Sequence, residues 1–170
     1  MRRGIQSAWT TRPAPFACLR ARGTSWAFPE RAAATKFCFS VATSNTTVEE
    51  LLAEARSRIA RLSPTEAHEA AHGGALLIDI RAESQRARDG HLPTARFIPR
   101  NVLEWRLDPS CPHRDDECAG TDRPLILICD EGYQSSLAAA TLSRFGLNAT
   151  DVVGGFRAWR DAGLPVEKPH

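Results

Sequence analysis

Beyond residue 47, the apolar positions follow two patterns, one typical of helices and one typical of buried strands. ALLIDI at 75–80 and PLILIC at 124–129 are continuous apolar runs, which predict strands covered on both faces of a parallel sheet. Shorter extended segments are predicted at 60–62, 95–99 and 151–153. The segments between these runs carry helical spacing or the signals that begin and end helices.

The first two predicted helices have well-defined starts. Thr47 can cap a helix in which Val48, Leu51, Leu52, Ala55 and Ile59 recur at helical spacing. Ser63-Pro64-Thr65-Glu66 has the form of a capping box with proline at the first helical position. Later helices are predicted at 82–90, at 101–107 with Asn101 as cap, at 135–146 with Ser135 or Ser136 as cap, and at 156–163. Residues 108–123 are polar and aperiodic, which predicts a surface loop.

Alternation of strands and helices is the pattern of βαβ units. It predicts an α/β fold, a doubly wound parallel sheet of about five strands with helices on both faces. In such sheets, ligands bind at the carboxyl ends of the strands. Cys129 ends one of the two strongly apolar strands, so it is expected at that edge.

Charge divides the chain near residue 47. Residues 1–47 hold seven Lys/Arg and one Glu, a net charge of +6, whereas residues 48–170 hold fifteen Lys/Arg and nineteen Asp/Glu, a net charge of −4. We predict a single domain over 48–170 after a basic, disordered N-terminal extension, with a transit peptide or a misassigned start as the alternatives. A mildly acidic domain does not indicate nucleic-acid binding, and no apolar run is long enough for a transmembrane helix.

The cysteine pattern excludes some classes of protein. Five cysteines at irregular spacing, two of them (Cys18 and Cys38) before residue 47, do not resemble a secreted disulfide framework. Cys111, His113 and Cys118 have poor spacing for zinc and no evident fourth ligand, so no metal is predicted. A disulfide between Cys111 and Cys118, or a resolving role for one of them, stays open.

The segment CDEGYQSS at 129–136 offers two interpretations of Cys129. A cysteine at the end of a strand is often only a small buried residue. Here, however, Gly132 can take a positive φ, which lets successive N–H groups converge on the sulfur at a helix N-terminus. Such a setting favours the thiolate, the reactive form of cysteine.

Four ordered motifs resemble the rhodanese-like domain family of sulfurtransferases. They are LLIDIR at 76–81, DGHLPTARFIP at 89–99, LILICDEGYQSS at 125–136 and VVGGFRAWRDAGLPV at 152–166. The resemblance covers about residues 60–168. It implies that the Cys129 thiolate takes a sulfane sulfur from a donor as a persulfide and passes it to a thiol or cyanide.

The same resemblance implies roles for other residues. Asp79 and Arg81 are expected to form a structural ion pair near the site. The pocket and its N–H cradle are expected to come from the loop after the cysteine: Asp130, Glu131, Gly132, Tyr133, Gln134 and Ser135. Related dual-specificity phosphatases carry an arginine at the sixth position after their cysteine. Ser135 stands there instead, so phosphatase activity is not expected.

The loop departs from many thiosulfate-using members in its charge. Asp130 and Glu131 stand where such members carry Arg or Lys, and carboxylates repel a dianionic donor. Arg100 or Arg106 would offset this repulsion if either lies at the pocket mouth. We therefore expect weak use of thiosulfate and a persulfide, polysulfide or protein thiol as the donor.

A hypothesis of another class is an idle rhodanese-like module that binds a partner or senses oxidants. Retention of Cys129 and Gly132 favours the enzyme. No cofactor is implied. The expected partners are a small sulfane-sulfur donor and an acceptor, which is cyanide, a thiol or a thiol protein, with neither nucleic acid nor membrane. The expected location is the cytoplasm, or an organelle matrix if residues 1–47 are a transit peptide.

Overall fold

The computed structural model describes residues 45–168, and the predictions for residues 1–44, which include Cys18 and Cys38, lie outside the described residues. The described part alternates helices and strands. In chain order these are α1 Val48–Ser57, β1 Arg61–Leu62, α2 Pro64–His72, β2 Leu76–Asp79, α3 Glu83–Asp89, β3 Arg96–Phe97, a 3-10 turn Arg100–Val102, α4 Leu103–Leu107, β4 Leu125–Ile128, α5 Gln134–Ser143, β5 Ala149–Val152 and α6 Gly155–Asp161.

The strands form one parallel sheet in the order β1-β5-β4-β2-β3. Four residues of β2 pair with β4, from Leu76 opposite Leu125 to Asp79 opposite Ile128. On its other side β4 pairs with β5, where Leu127 lies opposite Asp151. The predicted doubly wound parallel sheet is confirmed, and β4 is its central strand.

Two apolar layers cover the sheet. Alternate residues of β4 enter different layers, since Leu125 and Leu127 pack with α4 and α5, whereas Ile126 and Ile128 pack with α2 and α6. Trp159 of α6 is only 1% exposed and anchors the second layer. Cys129 continues the alternation and belongs to the layer that contains α5. The strand thus directs the Cys129 side chain towards the helix that follows it.

The helix starts show where local signals decide the structure. Thr47 and Ser63 each accept a hydrogen bond from the N–H three residues later, so both predicted caps are confirmed. Asn101 was expected to cap a helix but lies inside the 3-10 turn, and α4 starts after Val102 without a side-chain cap.

The start of α5 also differs from its prediction. Tyr133 occupies the cap position and provides no side-chain bond, while Ser135 and Ser136 lie inside the first turn and are fully buried. Their hydroxyls have other partners in the site described below. Within residues 45–168, none of the helices has both the length and the apolar character that a membrane span requires.

Candidate active site

The Cys129 sulfur lies in a turn of backbone N–H groups at the end of β4. The N–H of Gly132 donates to Sγ at 3.1 Å and the N–H of Ser135 donates at 3.4 Å. The Ser135 hydroxyl lies 3.2 Å from the same sulfur. Gly132 has a φ of +79°, the conformation that lets the loop curl around the sulfur. Cys129 is 4% exposed, so these donors act where little water competes.

The carbonyl of Gly132 contacts side chains of α1, β1 and α5. Arg56 of α1 donates to it at 3.0 Å, and the Ser136 hydroxyl lies 3.0 Å away. Arg61 also donates to it, at 3.3 Å. Fixing this carbonyl orients the loop so that N–H groups, rather than carbonyl oxygens, face Cys129.

A buried carboxylate connects the loop to the neighbouring strand. Asp151 of β5 is fully buried and accepts from the hydroxyls of Ser135 at 3.2 Å and Ser136 at 2.7 Å. Arg61 pairs with it through two bonds of 2.8 and 3.1 Å. Because the Ser135 hydroxyl lies between Sγ and Asp151, it can accept from a thiol or donate to a thiolate.

The start of α6, at Gly154 and Gly155, packs directly on the Cys129 loop. Gly155 has a φ of +60°, and a Cβ there would lie 2.7 Å from the Gly132 nitrogen and also collide with the Cys129 carbonyl oxygen. The N–H of Phe156 donates to that oxygen at 2.8 Å, and the N–H of Arg157 donates to the Asp130 carbonyl at 3.1 Å. The start of α6 therefore fixes the backbone on which the cysteine sits.

The two acidic side chains after Cys129 share a partner that sequence reasoning missed. Arg157 pairs with Asp130 at 2.9 Å and with Glu131 at 2.5 Å. The guanidinium is 55% exposed, while Asp130 is 17% exposed and Glu131 45% exposed. One positive charge thus partly neutralises the two carboxylates at the cavity.

A cavity of about 220 Å³ opens above Cys129. Its lining residues are Arg81, Gln85, Cys129, Asp130, Glu131, Tyr133 and Gln134. Tyr133 is 52% exposed at its rim. The loop residues predicted at positions 130–134 are thus brought together with the cysteine, and Gln85 of α3 joins them.

Asp79 and Arg81 form the expected ion pair beside this cavity. Nη2 of Arg81 lies 2.8 Å from the Asp79 carboxylate and 2.9 Å from the Gly90 carbonyl, and both side chains are 1% exposed. The Arg81 guanidinium also stacks 3.6 Å from the centre of the Phe156 ring. The pair ties the end of β2 to the loop after α3 and to α6.

Neither of the two arginines proposed to hold a donor anion lines this cavity in the described part of the chain. Arg100 pairs with Glu104 at 2.8 Å and lines a neighbouring cavity, which shares Gln85 and Gln134 with the first. Arg106 donates to the His113 carbonyl at 3.0 Å.

The remaining described cysteines, Cys111 and Cys118, are free thiols in this structure. Burial, together with the nearby Asp115 carboxylate, raises the pKa of Cys118 to about 11, so that thiol is a poor nucleophile at neutral pH. No cluster of three or more His, Cys, Asp or Glu side chains suited to a metal ion occurs within residues 45–168.

Sequence reasoning missed several site residues: Asp151 and Arg157, and also Gln85, Arg56 and Arg61. Asp151 lies in a predicted strand, and a carboxylate at a buried strand position was an available signal, since a buried charge requires partners. Arg157 follows the Gly154-Gly155 turn by two residues, but nothing local indicates that this turn reaches the Cys129 loop.

Comparison with known proteins places this site in context. Residues 63–162 match the family model of the rhodanese-like domain. The thiosulfate sulfurtransferase GlpE of Ectopseudomonas mendocina (strain ymp) is 34% identical over 112 residues, covering 65% of this chain and 93% of that protein. The protein of the same name from Stutzerimonas stutzeri (strain A1501) is 32% identical, covering 59% of this chain and 84% of its own.

Among solved structures, a protein of unknown function from Rhodopseudomonas palustris CGA009, described as a possible tyrosine phosphatase, superposes with a TM-score of 0.68. It is 33% identical, and the match covers 74% of this chain and 97% of that one. The likeness therefore extends over nearly the whole of that structure.

Proposed function

Because this chain belongs to the rhodanese-like domain family, we propose that it is a sulfurtransferase in which Cys129 carries sulfur from a sulfane donor to a thiol or cyanide acceptor as a persulfide. The observation that supports this most directly is the sulfur itself, which accepts N–H bonds from Gly132 and Ser135 at the base of a cavity. Two curated relatives are named thiosulfate sulfurtransferases.

Transfer takes two displacement steps at sulfur. In the first, the Cys129 thiolate attacks the outer sulfur of the donor, a new S–S bond forms, and the donor's own bond to that sulfur breaks. The leaving group departs with the electron pair, as sulfite from thiosulfate or as a thiolate from a persulfide. In the second, the acceptor thiolate or cyanide attacks the outer sulfur, and Cys129 leaves as a thiolate.

Both steps conserve charge, and neither needs a proton to be abstracted once Cys129 is ionised. The protein must therefore stabilise a negative charge at Cys129 in both steps. The N–H groups of Gly132 and Ser135 point at that anion, and the Ser135 hydroxyl can turn from Asp151 to donate to it. When Ser135 turns, Asp151 loses that bond but keeps those from Ser136 and Arg61.

The charge of the loop affects which donors can approach Cys129. Even with Arg157 paired, the cluster of Asp130, Glu131 and Arg157 keeps a net charge of −1, while Arg81, which also lines the cavity, is paired with Asp79. A dianion such as thiosulfate is repelled more than a persulfide that carries a single negative charge. We therefore propose that thiosulfate is a weak donor and that a persulfide, a polysulfide or a protein-borne persulfide is preferred.

The description of one structural neighbour makes a phosphatase the second candidate. The site argues against it, because the sixth position after Cys129 holds Ser135, whose hydroxyl lies between Sγ and Asp151. No guanidinium is available there to bind the phosphate oxygens in a fork. An idle binding module would not need N–H donors aligned on a sulfur.

A donor panel tests the sulfurtransferase. The protein is incubated with thiosulfate, the monoanionic persulfide of 2-mercaptoethanol or inorganic polysulfide, and peptides are mapped by mass spectrometry. We expect the mass of one added sulfur atom on Cys129, least with thiosulfate, and none at that position in Cys129→Ser. Cys111→Ser serves as the matched control and should load normally. If none of the donors loads wild-type Cys129, the proposal fails and the idle module is favoured.

A further inference from the structure

The carboxylates of Asp130 and Glu131 are not free at the mouth of the cavity. Both lie on one guanidinium, that of Arg157, through contacts of 2.9 and 2.5 Å. The Arg157 Nε also donates to Asp130 at 3.1 Å. Asp130 and Glu131 line the Cys129 cavity, so this ion cluster contributes part of its wall.

Main-chain contacts hold Arg157 in this place. Its N–H donates to the Asp130 carbonyl at 3.1 Å, one residue after the Phe156 N–H donates to the Cys129 carbonyl. The same residue pair is therefore joined through backbone and through side chains. Arg160, one turn further along α6 and similarly exposed, pairs only at 3.6 Å with its neighbour Asp161.

We infer that Arg157 is a specificity-determining residue of the Cys129 site, because its charge, held on Asp130 and Glu131, sets the repulsion that an anionic sulfur donor meets. The identity of the donor rests on the proposed function. The electrostatic repulsion itself acts on any anionic reagent that approaches Cys129. With Arg157 the two carboxylates leave a net charge of −1, and without it the net charge is −2.

The expected effect follows from the charges. At about 7 Å and a dielectric constant near 80, one unit charge changes the encounter of a monoanion with Cys129 by about threefold and that of a dianion by about sevenfold. Because Arg157 is half exposed, added salt screens the effect. A neutral reagent should be unaffected.

The test compares two alkylating reagents that differ by one charge. Iodoacetate and iodoacetamide both react with the Cys129 thiolate, and their rates at this residue are measured by peptide mapping. We expect Arg157→Gln to lower the iodoacetate-to-iodoacetamide rate ratio by about threefold at low salt and by less at high salt. Arg157→Lys should keep the wild-type ratio, and Arg160→Gln is the matched control that should leave it unchanged.

Removing the carboxylates should move the ratio in the opposite direction. The double variant Asp130→Asn/Glu131→Gln removes two negative charges and is expected to raise the ratio above wild type. Adding Arg157→Gln to it should bring the ratio down again. In sulfur transfer, Arg157→Gln should reduce kcat/KM more for thiosulfate than for a singly charged persulfide.

The inference is overturned if Arg157→Gln slows both alkylating reagents equally, because an unchanged ratio means that Arg157 only supports the loop. It is also overturned if Arg160→Gln lowers the ratio as much as Arg157→Gln does. Failure of the proposed function looks different, since Cys129 would then accept no sulfur from any donor while the alkylation ratio still responded to Arg157.

Discussion

Replacing Gly155 with alanine tests how far the active loop depends on the start of α6. At this position φ is +60°, and an added Cβ would lie 2.7 Å from the Gly132 nitrogen and 2.8 Å from the Asp130 carbonyl carbon. These are backbone atoms, which cannot move aside as a flexible side chain would. The Phe156 N–H bond to the Cys129 carbonyl, 2.8 Å long, lies beside the clash and should be lengthened or lost.

The magnitude has two parts. A left-handed conformation costs an L-residue about 1–2 kcal/mol. Forcing an extra methyl group into packed backbone costs about 1–3 kcal/mol more. Gly163, just after α6, allows the conformational cost to be measured alone, because its φ is +70° and an added Cβ there meets nothing within 4 Å. We expect Gly155→Ala to lower the free energy of unfolding by about 2–5 kcal/mol, and Gly163→Ala by only about 1–2 kcal/mol.

Urea unfolding followed by tryptophan fluorescence measures this difference, since Trp159 of α6 is buried. Loading of Cys129 with sulfur should also fall in Gly155→Ala and persist in Gly163→Ala. If the two alanine variants unfold within about 0.5 kcal/mol of each other, the close approach between α6 and the loop is refuted as a source of stability.

Two other perturbations test the surroundings of the site. Asp151→Asn should lower the free energy of unfolding by about 2–4 kcal/mol in urea titrations, because it breaks a buried ion pair with Arg61; a loss below about 1 kcal/mol would contradict this account. The raised pKa of Cys118, about 11 against 9.0 for an ordinary thiol, means that the unfolded thiol ionises first as pH rises. Below pH 9 the thiol is protonated in both states, and its contribution to stability is complete. As the pH rises from 9 to 11, the free energy of unfolding should fall by about 2 kcal/mol. Cys118→Ala should show a shallower decline of the urea midpoint over this pH interval, and identical slopes would contradict the assignment.

The arrangement of N–H donors around the Cys129 sulfur could be predicted because its signals are contiguous. A buried strand, a cysteine, a glycine able to take a positive φ and a helix start follow one another between residues 124 and 136. Backbone geometry over such a short range is dominated by local preferences. The same holds for the caps at Thr47 and Ser63, where the partner is three residues away.

The serines at the start of α5 show where local signals mislead. Ser135 and Ser136 have the residue type of a helix cap, and on that signal they were expected to cap α5. In the structure their hydroxyls donate to Asp151, which β5 brings beside β4. A buried carboxylate requires donors, and this requirement outweighs a cap that is worth about 1 kcal/mol.

The sequence by itself determined the order of elements, the α/β class, the position of the cysteine and the presence of two acidic residues after it. Only the tertiary structure decided which residue those acidic side chains pair with. Packing of Gly154 and Gly155 on the loop brings Arg157 to Asp130, which is 27 positions away along the chain, and to its neighbour Glu131. Charges that are distant along the chain interact only after the sheet has set their separation, because electrostatic energy depends on distance in space.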